Sequence, residues 1–215
     1  MDFNFEKREK IVKTDLNPVK MSKFSEVKRQ LFHILYGFAI ILFVLFFGQY
    51  NVANVLTLIL LVGGITSFIH VKSPLNFINN ILEHVEREKS LFPGKGGFFL
   101  TFGALMTLYI FSENVALAGL CVLTFGDSIS HLFGIYIRKK KYNNPSLKKM
   151  FEGTIAGIIV SSVAASFFVD PVFALIGASV ALVIEFIENI FAKIDDNFYI
   201  PLIASLVIYI LQFFS

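Results

Sequence analysis

Long apolar stretches alternate with short polar ones along the chain. Apolar runs cover 31–48, 52–70, 97–112, 115–137, 153–169, 171–191 and 198–214. Most approach the roughly 17–25 helical residues needed to cross a hydrocarbon core about 30 Å thick. The third run is short, and Gly126-Asp127 interrupts the fourth. This pattern predicts an all-α, polytopic integral membrane protein with about seven transmembrane helices, each satisfying its backbone polar groups internally. Residues 31–214 are expected to form a single transmembrane domain after an arm and first-helix entry over 1–30. One polar stretch has a different period. Near 75–90, Ile78, Ile81, Leu82 and Val85 recur at helical spacing, which predicts an amphipathic helix lying in the interface. His84 sits on that helix and needs no functional role.

The polar positions set the orientation. Segments 1–30, 71–96, 138–152 and 192–197 hold all 19 basic residues, whereas the alternate loops near 49–51, 113–114 and 170 hold none. Basic residues stay on the cytoplasmic side, so the N-terminus is expected inside and the C-terminus outside. The first 30 residues are Lys-rich and lack an apolar stretch, unlike a signal peptide. They read either as a disordered tail or as an arm on anionic headgroups through Lys7, Arg8, Lys10 and Lys13.

Composition agrees with the pattern. Of 215 residues, 55% are apolar and 16% charged, with a mean hydropathy of +0.70. Soluble domains carry roughly 25% charge. The net charge of +3 says little by itself, because the distribution of charge is the informative part; no nucleic-acid partner is expected, and membrane lipids are the expected surroundings. A lone cysteine, Cys121, excludes internal disulfides and Cys-based metal sites. The chain has 26 Phe and no Trp, which fits either biased codon usage or a Phe-lined lipid groove.

Against this apolar background, ionisable residues inside spans stand out, because an Asp at a helix centre costs about 2.5–3.5 kcal/mol on insertion scales. Asp127 lies twelve residues into its span, about 18 Å deep from the outer side, with His131 one turn later on the same face. Glu185 and Glu188 occupy the matching level of the sixth span. At the mouth of that span comes Asp195-Asp196-Asn197. Carboxylates beside an amide suit a hard cation shared with phosphates; a solvated turn uses the same residues. Glu26, Arg29 and His33 are spaced i, i+3 and i+7, one helical face, and could hold a phosphate and handle a proton. Arg29 also fits a snorkelling anchor. Pro93-Gly94-Lys95-Gly96-Gly97 opens the third span, where free N–H groups favour an anion. Lys149-Met150-Phe151-Glu152-Gly153-Thr154 opens the fifth. His70 reads as interfacial. All these candidates fall at the cytoplasmic level where a lipid presents its headgroup.

From about Glu26 to the C-terminus, the chain resembles the family of dolichol kinase, phytol kinase and CTP-dependent diacylglycerol kinase. The resemblance is carried by five blocks in order: Glu26-x-x-Arg29-x-x-x-His33, Pro93-Gly94-x-Gly96, Gly126-Asp127 with Gly134, Lys149-x-x-Glu152-Gly153-Thr154, and Asp195-Asp196-Asn197-x-x-x-Pro201. Glu185 or Glu188 stands where the family has an intramembrane Glu. After Gly134 the family continues with Arg and a further Gly, where this chain has Ile135 and Tyr136; Arg138 or one of Lys139, Lys140 and Lys141 is the candidate replacement. The resemblance implies transfer of the γ-phosphate of CTP, as co-substrate, to the hydroxyl of a membrane isoprenoid alcohol of the dolichol or polyprenol type, with Mg²⁺. It implies metal binding by Asp127, Asp195 and Asp196. Arg29, Glu26, Gly94, Gly96, Gly97 and Lys149 are the implied nucleotide-binding residues. Asp127, His33, Lys149 and Glu152 are the implied catalytic set, with His33 or Asp127 accepting the proton. The active site is expected to face the cytoplasm. The alternative is a CTP:lipid-phosphate cytidylyltransferase, which attacks the α-phosphorus. A transporter would place its polar groups nearer the midplane.

Overall fold

The computed structural model describes residues 23–72, 94–138, 147–191 and 195–215. The N-terminal arm over 1–22 and the amphipathic segment expected at 75–90 lie outside the described residues. The chain is helical, with no strand among the described residues: α1 (Lys23–Phe47), α2 (Gln49–Lys72), α3 (Lys95–Ile110), α4 (Glu113–Cys121), a π-helical segment (Val122–Asp127), α5 (Ser128–Arg138), α6 (Leu147–Ala165), α7 (Pro171–Phe191) and α8 (Asp196–Phe214).

Four stretches are long and apolar enough to cross a membrane: Glu26–Phe47, Gln49–His70, Glu113–Gly134 and Asp196–Phe214. Lys95–Ile110, Phe151–Ala165 and Pro171–Ile187 are apolar but shorter. The outward faces are apolar too. Phe43, Phe46 and Phe47 on α1, Leu58, Leu61, Val62, Ile65 and Phe68 on α2, and Phe213 and Phe214 on α8 are exposed. Water does not tolerate so wide an apolar surface on a monomer; a bilayer does. The molecule is built as a membrane protein.

Glu113–Gly134 is the most deeply buried of the four long stretches, and α1, α3, α6, α7 and α8 pack around it. Leu117, Leu120, Leu123, Leu182, Ile200 and Ile208 fill the centre. Lipid tails are as apolar as Leu, so helices in a membrane associate through close packing at small residues. A Cβ at Gly157 would lie 2.5 Å from the Gly126 carbonyl oxygen, and one at Gly153 would collide with the Ser130 carbonyl oxygen. Thus α6 lies directly on the turn that carries Asp127. On the other side, Gly103 faces the Asn197 carbonyl and Gly119 faces Ser205 and the Pro201 carbonyl. Pro201 has no N–H to offer the Asn197 carbonyl four residues earlier. That freed carbonyl sits where α3 has no side chain.

One end of the bundle is closed by hydrogen bonds. Gln49 Nε2 donates to the Leu108 and Phe111 carbonyls at 2.8 and 3.1 Å, and Gln49 N donates to Glu113 Oε2 at 3.1 Å. These bonds hold the Gly48 turn, where φ is +80°, against the turn between α3 and α4. The ionisable cluster lies at the opposite ends of these helices.

The tight α6 contact makes a stability prediction. Gly157→Ala should lower the unfolding midpoint in detergent, with an overpacking cost of about 1–3 kcal/mol. Gly64→Ala, where a Cβ meets nothing within 4 Å among the described residues, should leave the midpoint unchanged or raise it slightly.

Candidate functional site

The centre of the site is Asp127, 2% exposed, the last residue of the π-helical segment. Such a segment inserts an extra residue into a helical turn and is frequent at functional positions. Here it ends at Gly126-Asp127, after which α5 resumes the regular spacing. His131, four residues on, therefore lies over Asp127, with Nε2 3.1 Å from Asp127 Oδ1. From α1, His33 approaches the other carboxylate oxygen, Nδ1 being 3.4 Å from Asp127 Oδ2. One carboxylate is flanked by two imidazoles, and each imidazole belongs to a different helix.

Two more carboxylates arrive from distant elements. Asp127, His131, Glu185 on α7 and Asp196 on α8 each place a ligand-type atom within 4.8 Å of all the others. Asp127 and Glu185 are buried, while His131 and Asp196 are half-buried. Three carboxylates at this separation repel one another in an apolar interior, and a divalent cation resolves that repulsion with the oxygen donors it prefers. The donor set fits such an ion. Of the two glutamates left open above, Glu185 joins the group; only the backbone of Glu188, late in α7, is described.

Asp195 takes a different position from the one the resemblance implies. It stands just before α8, where its Oδ1 accepts from Asn197 Nδ2 at 2.9 Å and its Oδ2 lies 4.0 Å from Lys95 Nζ. Asp195 is outside the four-residue group because successive residues at a helix start point apart. Asp196 turns inward, and the Asn197 N–H donates to Asp196 Oδ1 at 2.9 Å. Burial holds the Asp195 carboxyl above its ordinary value and nearby Asp196 adds to this, against the Asn197 hydrogen bond and Lys95. Asp195 thus acts on the orientation of Asn197.

Arg29 Nη2 pairs with Glu26 Oε1 at 2.7 Å along α1. Gly94, with φ +83°, precedes α3, and its carbonyl accepts the Phe98 N–H at 2.9 Å. A Cβ at Gly96 or Gly97 would meet nothing within 4 Å among the described residues. Arg29, His33, Gly94, Gly96, Gly97 and Asn197 share the wall of a cavity of about 450 Å³. The structure thereby joins the first, second and last of the sequence blocks. Glu152, half-buried on α6, is not part of the four-residue group. Lys149 lies in the first turn of α6, where only backbone is described, and Lys139, Lys140 and Lys141 are outside the described residues.

Some features had no reading in the sequence. Gln30 is fully buried, with neither amide atom hydrogen-bonded among the described residues, and Thr124 Oγ1 and Ser128 Oγ are likewise buried without a described partner. The available signal was an amide next to Arg29 and hydroxyls bracketing Gly126-Asp127. His70, expected at the interface, is buried.

No family model matches the chain, and no solved structure matches it. It is similar to an uncharacterised protein of Methanocaldococcus jannaschii, 29% identical over 186 residues, covering 85% of this chain and 92% of that protein. It is also similar to an uncharacterised protein of Rickettsia prowazekii, 24% identical over 192 residues, covering 82% and 90% of the respective chains.

Proposed function

We propose that the protein is a multi-pass membrane enzyme that transfers the γ-phosphate of CTP to the hydroxyl of a membrane isoprenoid alcohol at the cytoplasmic face. The observation that carries this reading is the meeting of Asp127, His131, Glu185 and Asp196 beside a cavity bordered by Arg29, His33 and Asn197. Phosphoryl transfer depends mainly on positioning and charge neutralisation. These residues supply both, at the end of an apolar bundle where a lipid head can reach them.

Asp127, Glu185 and Asp196 would hold Mg²⁺, which when bound neutralises charge on the triphosphate. His131, an imidazole beside Asp127 Oδ1, orients that carboxylate, because Mg²⁺ prefers oxygen ligands. Arg29 and the N–H groups at Gly94–Gly97 receive phosphate oxygens, with Lys149 as a further cation. His33 directs Nδ1 at Asp127, and a proton there leaves Nε2 as the free base. Nε2 accepts the alcohol proton as the alcohol oxygen bonds to the γ-phosphorus. The bond from that phosphorus to the bridging oxygen breaks, and CDP departs.

The same reading includes the arrangement in the bilayer. The three shorter apolar helices cross with the four longer ones, giving seven spans, with the N-terminus inside. The support is that Arg29, Lys95 and the Asp127 cluster lie at the ends away from the Gly48 and Ser112 turns, which carry no basic residue.

Incubation with CTP labelled at the α or the γ phosphate, plus lipid alcohols and lipid phosphates, is the direct test. Label from the γ position alone should enter an alcohol product; α label in the lipid would indicate cytidylyl transfer instead. Asp127→Asn should retain insertion and monodispersity yet lose several kcal/mol of charge stabilisation, at least about a hundredfold in kcat. Asp196→Asn should lose less. A variant with most of the wild-type rate at saturating CTP and Mg²⁺ removes that residue from the site. A reporter fused after Ser215 should lie outside and one fused near Lys140 inside; finding both on one side overturns the seven-span reading.

A further inference from the structure

The cavity of about 450 Å³ between α1, α2 and α3 changes character along its length. At one end it is bordered by Arg29, His33 and Asn197, whose Nε, Nε2 and Oδ1 atoms are buried and have no hydrogen-bond partner among the described residues. His33 and Asn197 are only 7% and 6% exposed. Buried polar atoms of this kind are normally satisfied, so three together on one wall mark the place of a polar ligand group.

Further along, the polar atoms are already used. Tyr36 Oη and Thr101 Oγ1 are hydrogen-bonded to each other at 2.9 Å, and Thr101 Oγ1 donates to the Gly97 carbonyl at 2.7 Å. What remains there for a ligand is apolar: the Tyr36 ring, Ile59, Leu60 and Leu100. Phe32 and Ile59, on the rim, are 52% and 45% exposed, so the cleft opens sideways between α1 and α2, where the bilayer lies.

Gly63 gives the second, independent observation. The buried helical glycines in the bundle are explained by a neighbour, since a Cβ at Gly103, Gly119, Gly153 or Gly157 would strike the next helix. Gly63 is exposed, and a Cβ there would meet nothing within 4 Å among the described residues. A glycine inside a helix costs roughly 0.5–1 kcal/mol relative to Ala, and no atom of the described residues requires this one. Gly63 borders the cleft, whereas the adjacent Gly64, equally open, does not.

We infer that this cleft holds a single hydrocarbon chain of the acceptor lipid, with its hydroxyl at His33 Nε2 and its chain passing Gly63 toward the bilayer. Gly63 sets the girth of chain the cleft admits. The inference rests on the proposed reading only for the hydroxyl's role; the seat itself is a binding site, testable without turnover. The buried side-chain atoms without a partner among the described residues lie at one end, and the Tyr36 and Thr101 hydroxyls beyond them are taken within the protein, which matches a single-chain alcohol. A nucleotide would leave the apolar end empty, and a water-soluble polyol would leave its own hydroxyls unpaired there.

The test uses the full-length protein in lipid nanodiscs and a long-chain alcohol carrying a photoreactive diazirine midway along its chain. Labelled peptides should map to α1, α2 and α3, around Phe32, Ile59 and Leu100, and unlabelled long-chain alcohol should compete. Gly63→Leu should cut that labelling and kcat/KM for the alcohol by about tenfold or more, the scale at which added methylenes are read in an apolar pocket. KM for CTP should be unchanged. Gly64→Leu, the same change one residue away, should behave as wild type. Wild-type labelling elsewhere, or equal effects of the two leucines, overturns the seat. If CTP phosphorylates the alcohol but Gly63→Leu is silent, the kinase reading stands and this inference falls. If the labelling behaves as stated but no phosphate is transferred, the seat stands and the kinase reading falls.

Discussion

A carboxylate buried inside an apolar helix bundle needs partners, and much of this structure follows from the partners of Asp127. At 2% exposure it has no water to share its charge, and an isolated ion in that position is strongly disfavoured. His33 and His131 answer from α1 and α5 at 3.4 and 3.1 Å. Glu185 and Asp196 add negative charge within 4.8 Å, which a bound cation or a proton on the group offsets. Four helices are thereby tied to one point. Removing one partner disturbs all the others, because each group's cost is offset by the rest.

The backbone makes that point accessible. The π-helical segment at Val122–Asp127 adds one residue, turning the face of α5 by about 100° relative to α4. Val115 through Leu123 are buried on every side, so a helix of unbroken register would have no space for a polar cluster. The slip ends at Gly126-Asp127, and α6 is able to approach because it presents Gly153 and Gly157 there. Pro201 acts similarly on α8. It frees the Asn197 carbonyl to rest against Gly103, which seats the Asp196-Asn197 turn between the acidic group and the cavity.

His33 joins the two halves of the site. One ring nitrogen faces Asp127 and the other has no partner among the described residues at the cavity, beside Arg29 and Asn197. In the proposed reaction that geometry puts the proton acceptor between the phosphate end and the lipid end. The hydroxyls of Tyr36, Thr66 and Thr101 are bonded within the protein, leaving an apolar channel of the kind a lipid chain can enter without dehydrating anything.

Apolar run length determined the helices, because in a membrane no other backbone arrangement satisfies the peptide groups of such runs. Local spacing also carried Asp127 with His131 and Glu26 with Arg29, since residues three or four apart in a helix share a face whatever the fold. Which carboxylates meet was a tertiary matter. Asp195 and Asp196 are indistinguishable as neighbours in sequence, yet only Asp196 turns toward Asp127, while Asp195 holds Asn197. Glu185 and Glu188 were equally placed by level, and the packing of α7 on α6 and α8 brought Glu185 to the group. The π slip, the buried Gln30 amide and the cleft at Gly63 had no periodic signature at all. Each depends on how close a neighbouring helix comes, and that distance is set by small residues on partners far away in the chain.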